Sequence, residues 1–184
     1  DLTVTGVQTC ALPILGLSEI QQMLKTSAQD FLSRECPLTL VREMEEDSRG
    51  FTDELWRQMV GLGWTGVAFP EQYGGTGGNF ADLGVLLEEI GRSLAPSPFF
   101  STVVLGGMTV LDAGSDAQKD ELISRICAGT IIMTMAVSED SATYEPWGIK
   151  ATANQKGGGY EISGTKLFVP DAEASDVVDR KSVV

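Results

Sequence analysis

The hydrophobic period of this chain changes once, and that change limits the fold more than any single motif. From Leu15 to Gly129 the apolar residues recur mainly at helical spacing. At Thr130 the period drops to two: Ile131, Met133, Met135 and Val137 alternate with Thr130, Ile132, Thr134, Ala136 and Ser138. Helices come first and strands afterwards, so the pattern is not a βαβ alternation. The expected class is α+β, with an all-helical domain over residues 15–129 and a β region over residues 130–178.

Local signals place the helices. Ser18 with Gln21 reads as a capping box, and Ile20, Leu24, Ala28, Phe31 and Leu32 follow at helical spacing until Pro37. A charged helix is predicted over 38–47, closed by Gly50. Thr52 is a good N-cap for the next helix, with Phe51 and Trp56 placed as a hydrophobic staple. Residues 69–79 read as a loop, and a long helix is predicted over 80–95. A helix over 99–113 is apolar nearly all round, which predicts burial on most sides. Ser115 with Gln118 opens the last helix, which ends near Gly129. Beyond the switch, a hairpin is predicted from residues 149–154 and 160–162 around a turn at 156–159. A last strand is predicted over 165–169.

Composition narrows the chemistry. The net charge of −13 is spread along the chain, which argues against a nucleic-acid partner, because phosphate binding needs a basic face. No apolar run approaches the roughly 20 residues of a membrane span. There is no histidine, which removes His triads, His zinc sites and His general bases. Cys10, Cys36 and Cys127 lie far apart without C-x-x-C spacing. They argue against a disulfide framework or a metal site and for a reducing, cytoplasmic compartment.

The two ends read differently from the rest. Residues 1–14 show neither period, and they lack the basic and continuous apolar regions of a signal peptide. Val4 to Ile14 resembles the translation of a common short-read sequencing adapter, and residues 179–184 resemble that of its partner. Both ends are expected to be non-native tails, with the biological sequence running from Leu15 to Val178.

Taken singly, the remaining motifs have plain readings. The glycines from Gly74 to Gly78 fit neither a P-loop nor a dinucleotide fingerprint, so they read as a tight turn. Glu88 and Glu89 are adjacent on a helix and read as a solvated face, not an acid–base pair. Ser138, Glu139 and Asp140 mark a strand-to-turn boundary. Phe168 reads as a core residue, and Pro170 as the stop of its ladder.

Taken in order, they resemble a known family. The segments Pro70-Glu71-Gln72-Tyr73-Gly74-Gly75-Thr76-Gly77, Leu87-Glu88-Glu89-Ile90-Gly91-Arg92-Ser93-Leu94-Ala95, Gly129 before a strand ending in Ser138-Glu139, and Ile162-Ser163-Gly164-Thr165-Lys166-Leu167-Phe168-Val169 together resemble the acyl-CoA dehydrogenase family over residues 15–178. The resemblance implies an N-terminal helical domain, here whole, and a middle β-barrel domain, here only begun. It also implies a C-terminal helical bundle outside this chain. It implies FAD, and oxidation of an acyl-CoA thioester between its α and β carbons, with the carboxylate base in the C-terminal part. No catalytic residue and no metal ligand is therefore expected here. Met135, Ala136, Val137 and Ser138 match the segment that lies along the flavin, with the Ser138 hydroxyl as a partner for the ring. Phe168, Val169 and Pro170 match an aromatic–aliphatic–hydroxyl triplet whose aromatic ring packs on the isoalloxazine. The implied partners are the acyl-CoA substrate, an electron-transferring flavoprotein, and further subunits in a homo- or hetero-tetramer.

Two positions depart from the family pattern. Asp140-Ser141-Ala142-Thr143-Tyr144 stands where the family has Pro and then a Gly-Ser-Asp turn. Pro170 stands where the family has a hydroxyl that donates to flavin N5, and it has neither a hydroxyl nor an N–H. The departures point to a divergent branch. A flavin oxidase or monooxygenase of the same fold, and a non-catalytic subunit of a mixed assembly, are the competing functions. The chain itself, with unpaired strand edges, is expected to be aggregation-prone and inactive on acyl-CoA.

Overall fold

A computed structural model describes residues 16–143 and 145–180. The expected boundary between residues 14 and 15 lies outside these. Ser18 opens α1 (Glu19–Glu35): its Oγ accepts from the Gln21 N–H, and Gln21 Oε1 accepts from the Ser18 N–H, as the capping box predicts. α2 (Leu38–Glu45) starts directly after Pro37. Thr52 Oγ1 accepts from the Leu55 N–H and caps α3 (Asp53–Gly61), and both staple residues, Phe51 and Trp56, are buried. α4 (Phe80–Ser93) begins at a capping box that composition alone assigns to the loop. Asn79 Oδ1 accepts from the Ala81 and Asp82 amides, and Asp82 Oδ2 accepts from the Asn79 N–H.

The last two helices are not uniformly α. α5 covers residues 100–113, π-helical over Phe100–Gly107 and α-helical over Met108–Ala113. α6 covers residues 116–127, with a π-helical stretch at Lys119–Ile123. Periodicity sees only that a face is apolar and cannot separate these windings. α5 is gripped from both sides. A Cβ on Gly106 would lie 2.6 Å from Met133 Cγ, and one on Gly107 would lie 2.5 Å from Phe69 Cζ. The predicted burial of this helix follows: Ser101, Thr102, Val103, Gly106 and Gly107 are all buried.

One core joins these helices. Phe31, Leu55, Met59, Trp64, Phe69, Leu83, Leu86, Phe99, Ile123 and Ile126 belong to it, and it reaches Ile131 and Met133 beyond the last helix. Phe31 and Trp64 meet edge to face at 5.2 Å. The glycine-rich loop is the predicted turn. Its Gly75, Thr76 and Gly77 amides donate to Pro70 O, Gly66 O and Phe69 O. These amides are consumed internally, which removes the donors a phosphate cradle would need.

The β region differs more from expectation. β1 (Met133–Ala136) is shorter than the alternation predicts. Ile132 uses its backbone elsewhere: its N–H donates to Asp176 Oδ2, and its carbonyl accepts from the Asp176 and Val177 amides. β2 (Thr152–Lys156) and β3 (Gly159–Ser163) form the predicted hairpin, with Ala153 opposite Ile162 and Gln155 opposite Tyr160. Its two-residue turn needs left-handed backbone twice in succession, and Gly157 and Gly158 supply φ of 58° and 84°. The strand predicted over 165–169 is absent, because Phe168 at φ 52° breaks the extended backbone. β4 (Val177–Arg180) lies beside β1 instead, parallel to it, with Met133 opposite Val177 and Ala136 opposite Arg180. The expected boundary between 178 and 179 thus falls inside a strand. The described residues form two separate two-stranded sheets and no closed barrel, so the α+β class stands.

Candidate functional site

The end of β1 and the loop after β3 adjoin each other. The Leu167 N–H donates to Ser138 O at 2.9 Å, and Thr134 Oγ1 donates to Pro170 O at 2.7 Å. Ser101 Oγ, from buried α5, donates to Asp171 Oδ2. The seven residues singled out in the sequence therefore lie on two neighbouring segments, 135–138 and 168–170. Ala136 is buried, and Met135, Val137, Ser138 and Val169 are half-buried. Phe168 is not a core residue. Its ring is 94% exposed on a left-handed backbone, a conformation that is costly for a bulky side chain. The chain spends no hydrophobic burial on that ring.

Between the two segments sits a pair that the sequence reading missed. Glu139 is buried, where local pattern shows only a turn boundary. Its Oε1 accepts from Lys166 Nζ at 2.8 Å and from the Ala151 N–H at 3.0 Å, and its Oε2 accepts from the Lys150 N–H at 2.7 Å. Lys166 Nζ also donates to Val137 O at 3.2 Å. The side chains are 6% (Lys166) and 5% (Glu139) exposed. The hydrogen bond from Lys166, followed by that of the Lys150 amide, holds the Glu139 carboxyl at about 2, against burial that pushes it up. Glu139 is therefore an anion with its acceptors engaged, unsuited to taking a proton. The one available hint was a lysine at 166 inside an otherwise apolar, extended-looking stretch.

A cleft of about 210 Å³ opens beside the pair, lined by Asp140, Lys150, Gly164, Thr165 and Leu167 among others. Ligand pockets commonly run to roughly 300–1,000 Å³, so this cleft alone is not a cofactor pocket. Among the described residues no cluster of His, Cys, Asp or Glu could hold a metal ion, and no helix is long and apolar enough to cross a membrane. Elsewhere, the solvated reading holds for Glu88 but not for Glu89. Glu88 is exposed and accepts from Lys25 and Arg92; Glu89 is buried, 3.4 Å from Lys25 Nζ and 3.3 Å from Arg92 Nε.

Residues 18–130, well over half of the chain, match the family model for the acyl-CoA dehydrogenase N-terminal domain. The chain belongs to the acyl-CoA dehydrogenase family. That is a family of oxidoreductases. This acyl-CoA dehydrogenase-family chain is 26% identical over 164 residues to the probable acyl-CoA dehydrogenase YngJ of Bacillus subtilis (strain 168), covering 88% of itself and 43% of the relative. Its fold resembles the ChsE4-ChsE5 complex from Mycobacterium tuberculosis, with a TM-score of 0.79 and 25% identity over 89% of this chain and 43% of that one. It also resembles butyryl-CoA dehydrogenase from Megasphaera elsdenii, with a TM-score of 0.74 and 27% identity over 90% of this chain and 44% of that one. The chain thus spans less than half the length of these relatives.

Proposed function

We propose that this chain is the N-terminal part of an FAD-dependent acyl-CoA dehydrogenase that introduces an α,β double bond into an acyl-CoA thioester. Its catalytic base would lie in a part of the protein this chain does not span. The observation that carries the reading is the adjoining of segments 135–138 and 168–170, with the Phe168 ring left uncovered beside the strand end. Phe168 offers a flat apolar face for the isoalloxazine, and the half-buried Ser138 offers a hydroxyl to the ring's polar edge. FAD, when bound, would supply the redox chemistry of the desaturation. The chain's own residues bind and orient. Pro170 donates nothing, and its carbonyl is already taken by Thr134, so a donor to the central flavin nitrogen must come from elsewhere.

An electron-transferring flavoprotein is the acceptor in this reading, and the working form is a tetramer. The free thiols of Cys36 and Cys127 support a cytoplasmic setting. Pro170 and the run from Asp140 to Tyr144 favour a second reading, a non-catalytic subunit of a mixed assembly, which the likeness to the ChsE4-ChsE5 complex also supports. The test is to purify the full-length protein containing this chain and record its visible spectrum. A yellow protein bleached by acyl-CoA without air is expected. A colourless protein that cannot be reconstituted with FAD would overturn the reading. Rapid reoxidation by air would favour an oxygen-using enzyme instead.

A further inference from the structure

The loop from Gly164 to Pro170 carries the exposed Phe168 yet has little to hold it. Gly164, Thr165, Leu167, Phe168 and Pro170 are all exposed, and the loop joins no ladder. A segment of that kind samples many conformations unless specific contacts fix it. Beside the bonds from Leu167 N–H to Ser138 O and from Thr134 Oγ1 to Pro170 O, its side-chain contacts converge on one point. Lys166 is the loop's inward-pointing side chain, and its ammonium reaches both Val137 O and Glu139. Glu139 in turn gathers the Lys150 and Ala151 amides at the entry to β2. Gly164 packs on Ala151, where a Cβ would come within 2.6 Å of the alanine's own. Three chain segments, distant in sequence, thus meet at one buried ion pair.

We propose that the Glu139/Lys166 pair is the positioning element of the cofactor site: it fixes the loop bearing Phe168 against the end of β1, so that ring and strand edge address the same ligand. The inference rests on the flavin reading above. Neither residue reacts; each acts through the groups it places. A buried ion pair adds little stability over an apolar pair of like volume, whereas breaking it strands a charge. What the pair adds that an apolar pair would not is direction: the ammonium must point at Val137 O and at Glu139 together, which sets where residue 168 emerges. Sites of this type need supporting contacts to hold the groups that touch the ligand.

The test uses the full-length protein with Lys166→Met, the double variant Glu139→Gln/Lys166→Met, and Lys166→Arg. Three quantities are read: thermal unfolding, exchange of the Leu167 amide, and FAD affinity of the apoprotein by flavin fluorescence. Lys166→Met removes both ammonium hydrogen bonds and is expected to speed Leu167 exchange and weaken FAD binding, each by roughly tenfold or more. The double variant buries no charge, so it should recover most of the thermal stability while FAD binding stays weak. A merely structural pair would recover both. Lys166→Arg should retain binding. Wild-type affinity in the double variant, or unchanged Leu167 exchange in Lys166→Met, overturns the proposal. If the unaltered protein binds no FAD, the flavin reading fails instead, and the exchange result alone decides whether the pair holds the loop.

Discussion

From residue 16 to residue 136 the large apolar side chains mostly find partners within the same stretch; from residue 137 onward most of them do not. Phe69, Phe99, Leu83 and Leu86 are wholly excluded from solvent. In the hairpin, Tyr160 and Ile162 stand 61% and 43% exposed on the face they share with Ala153 and Gln155. Two-stranded sheets are marginal on their own, and among the described residues nothing pairs with the outer edges of these two. What holds the second region is a small number of directed polar contacts: Glu139 with Lys166, Thr134 with Pro170, Ser101 with Asp171, and Ile132 with Asp176. The helical region is stabilised by area and the β region by geometry. That division suits a chain that spans less than half of its relatives' length.

The sharpest way to break this comparison is to truncate an aromatic side chain in each region. Phe69→Ala should cost about 4 kcal/mol, since Phe69 is fully buried and presses on Gly107. Tyr160→Ala should cost no more than about 0.5 kcal/mol, as for an exposed site. Denaturant unfolding followed by circular dichroism measures both. Equal losses would mean that the hairpin shares the helical core after all.

Acid should separate the regions next. The Glu139 carboxyl lies at about 2 in the fold against an ordinary 4.5. A lowered folded value means the stabilisation is fully present above pH 4.5 and is lost as pH falls from there through 2. Protection of the Lys150 and Ala151 amides, relative to their intrinsic exchange rates, should therefore fall across that window, and Glu139→Gln should remove the dependence. Glu88 is also lowered, by Lys25 first and then Arg92, but it is exposed, so added salt should screen its share. If salt abolished the acid response of the Lys150 amide too, the buried pair would not be its source.

These contrasts also explain what could be read from the sequence. Ser18, Thr52 and Ser115 announce their helices because a cap and its partner sit three residues apart. The turn at Gly157 and Gly158 is legible for the same local reason. The Glu139/Lys166 pair is not, since its members are separated by an entire hairpin and each has an ordinary surface reading alone. The fate of residues 165–169 was hidden too. Their apolar alternation matches a strand, but a left-handed Phe168 and a proline without an N–H leave no ladder. The site segments became visible through resemblance, and their contact with each other through the structure.

Within the helical region, smaller effects test whether local rules still operate under a strong core. Asn79→Ala removes an oxygen that serves two amides and should cost about 1 kcal/mol. Leu94 offers the finest test. It follows α4 in the left-handed conformation at φ 54°, where glycine is the usual residue, and its side chain is 61% exposed. Leu94→Gly relieves a backbone cost of about 1–2 kcal/mol. It also frees the unfolded chain, which takes back about 0.5–1 kcal/mol. The net expectation is a gain of about 0.5 kcal/mol, readable as a small rise in the thermal midpoint. A loss instead would show that the partly covered leucine packs on Ile90 or its neighbours more than its exposure implies, and that even at its rim the helical region is held by area.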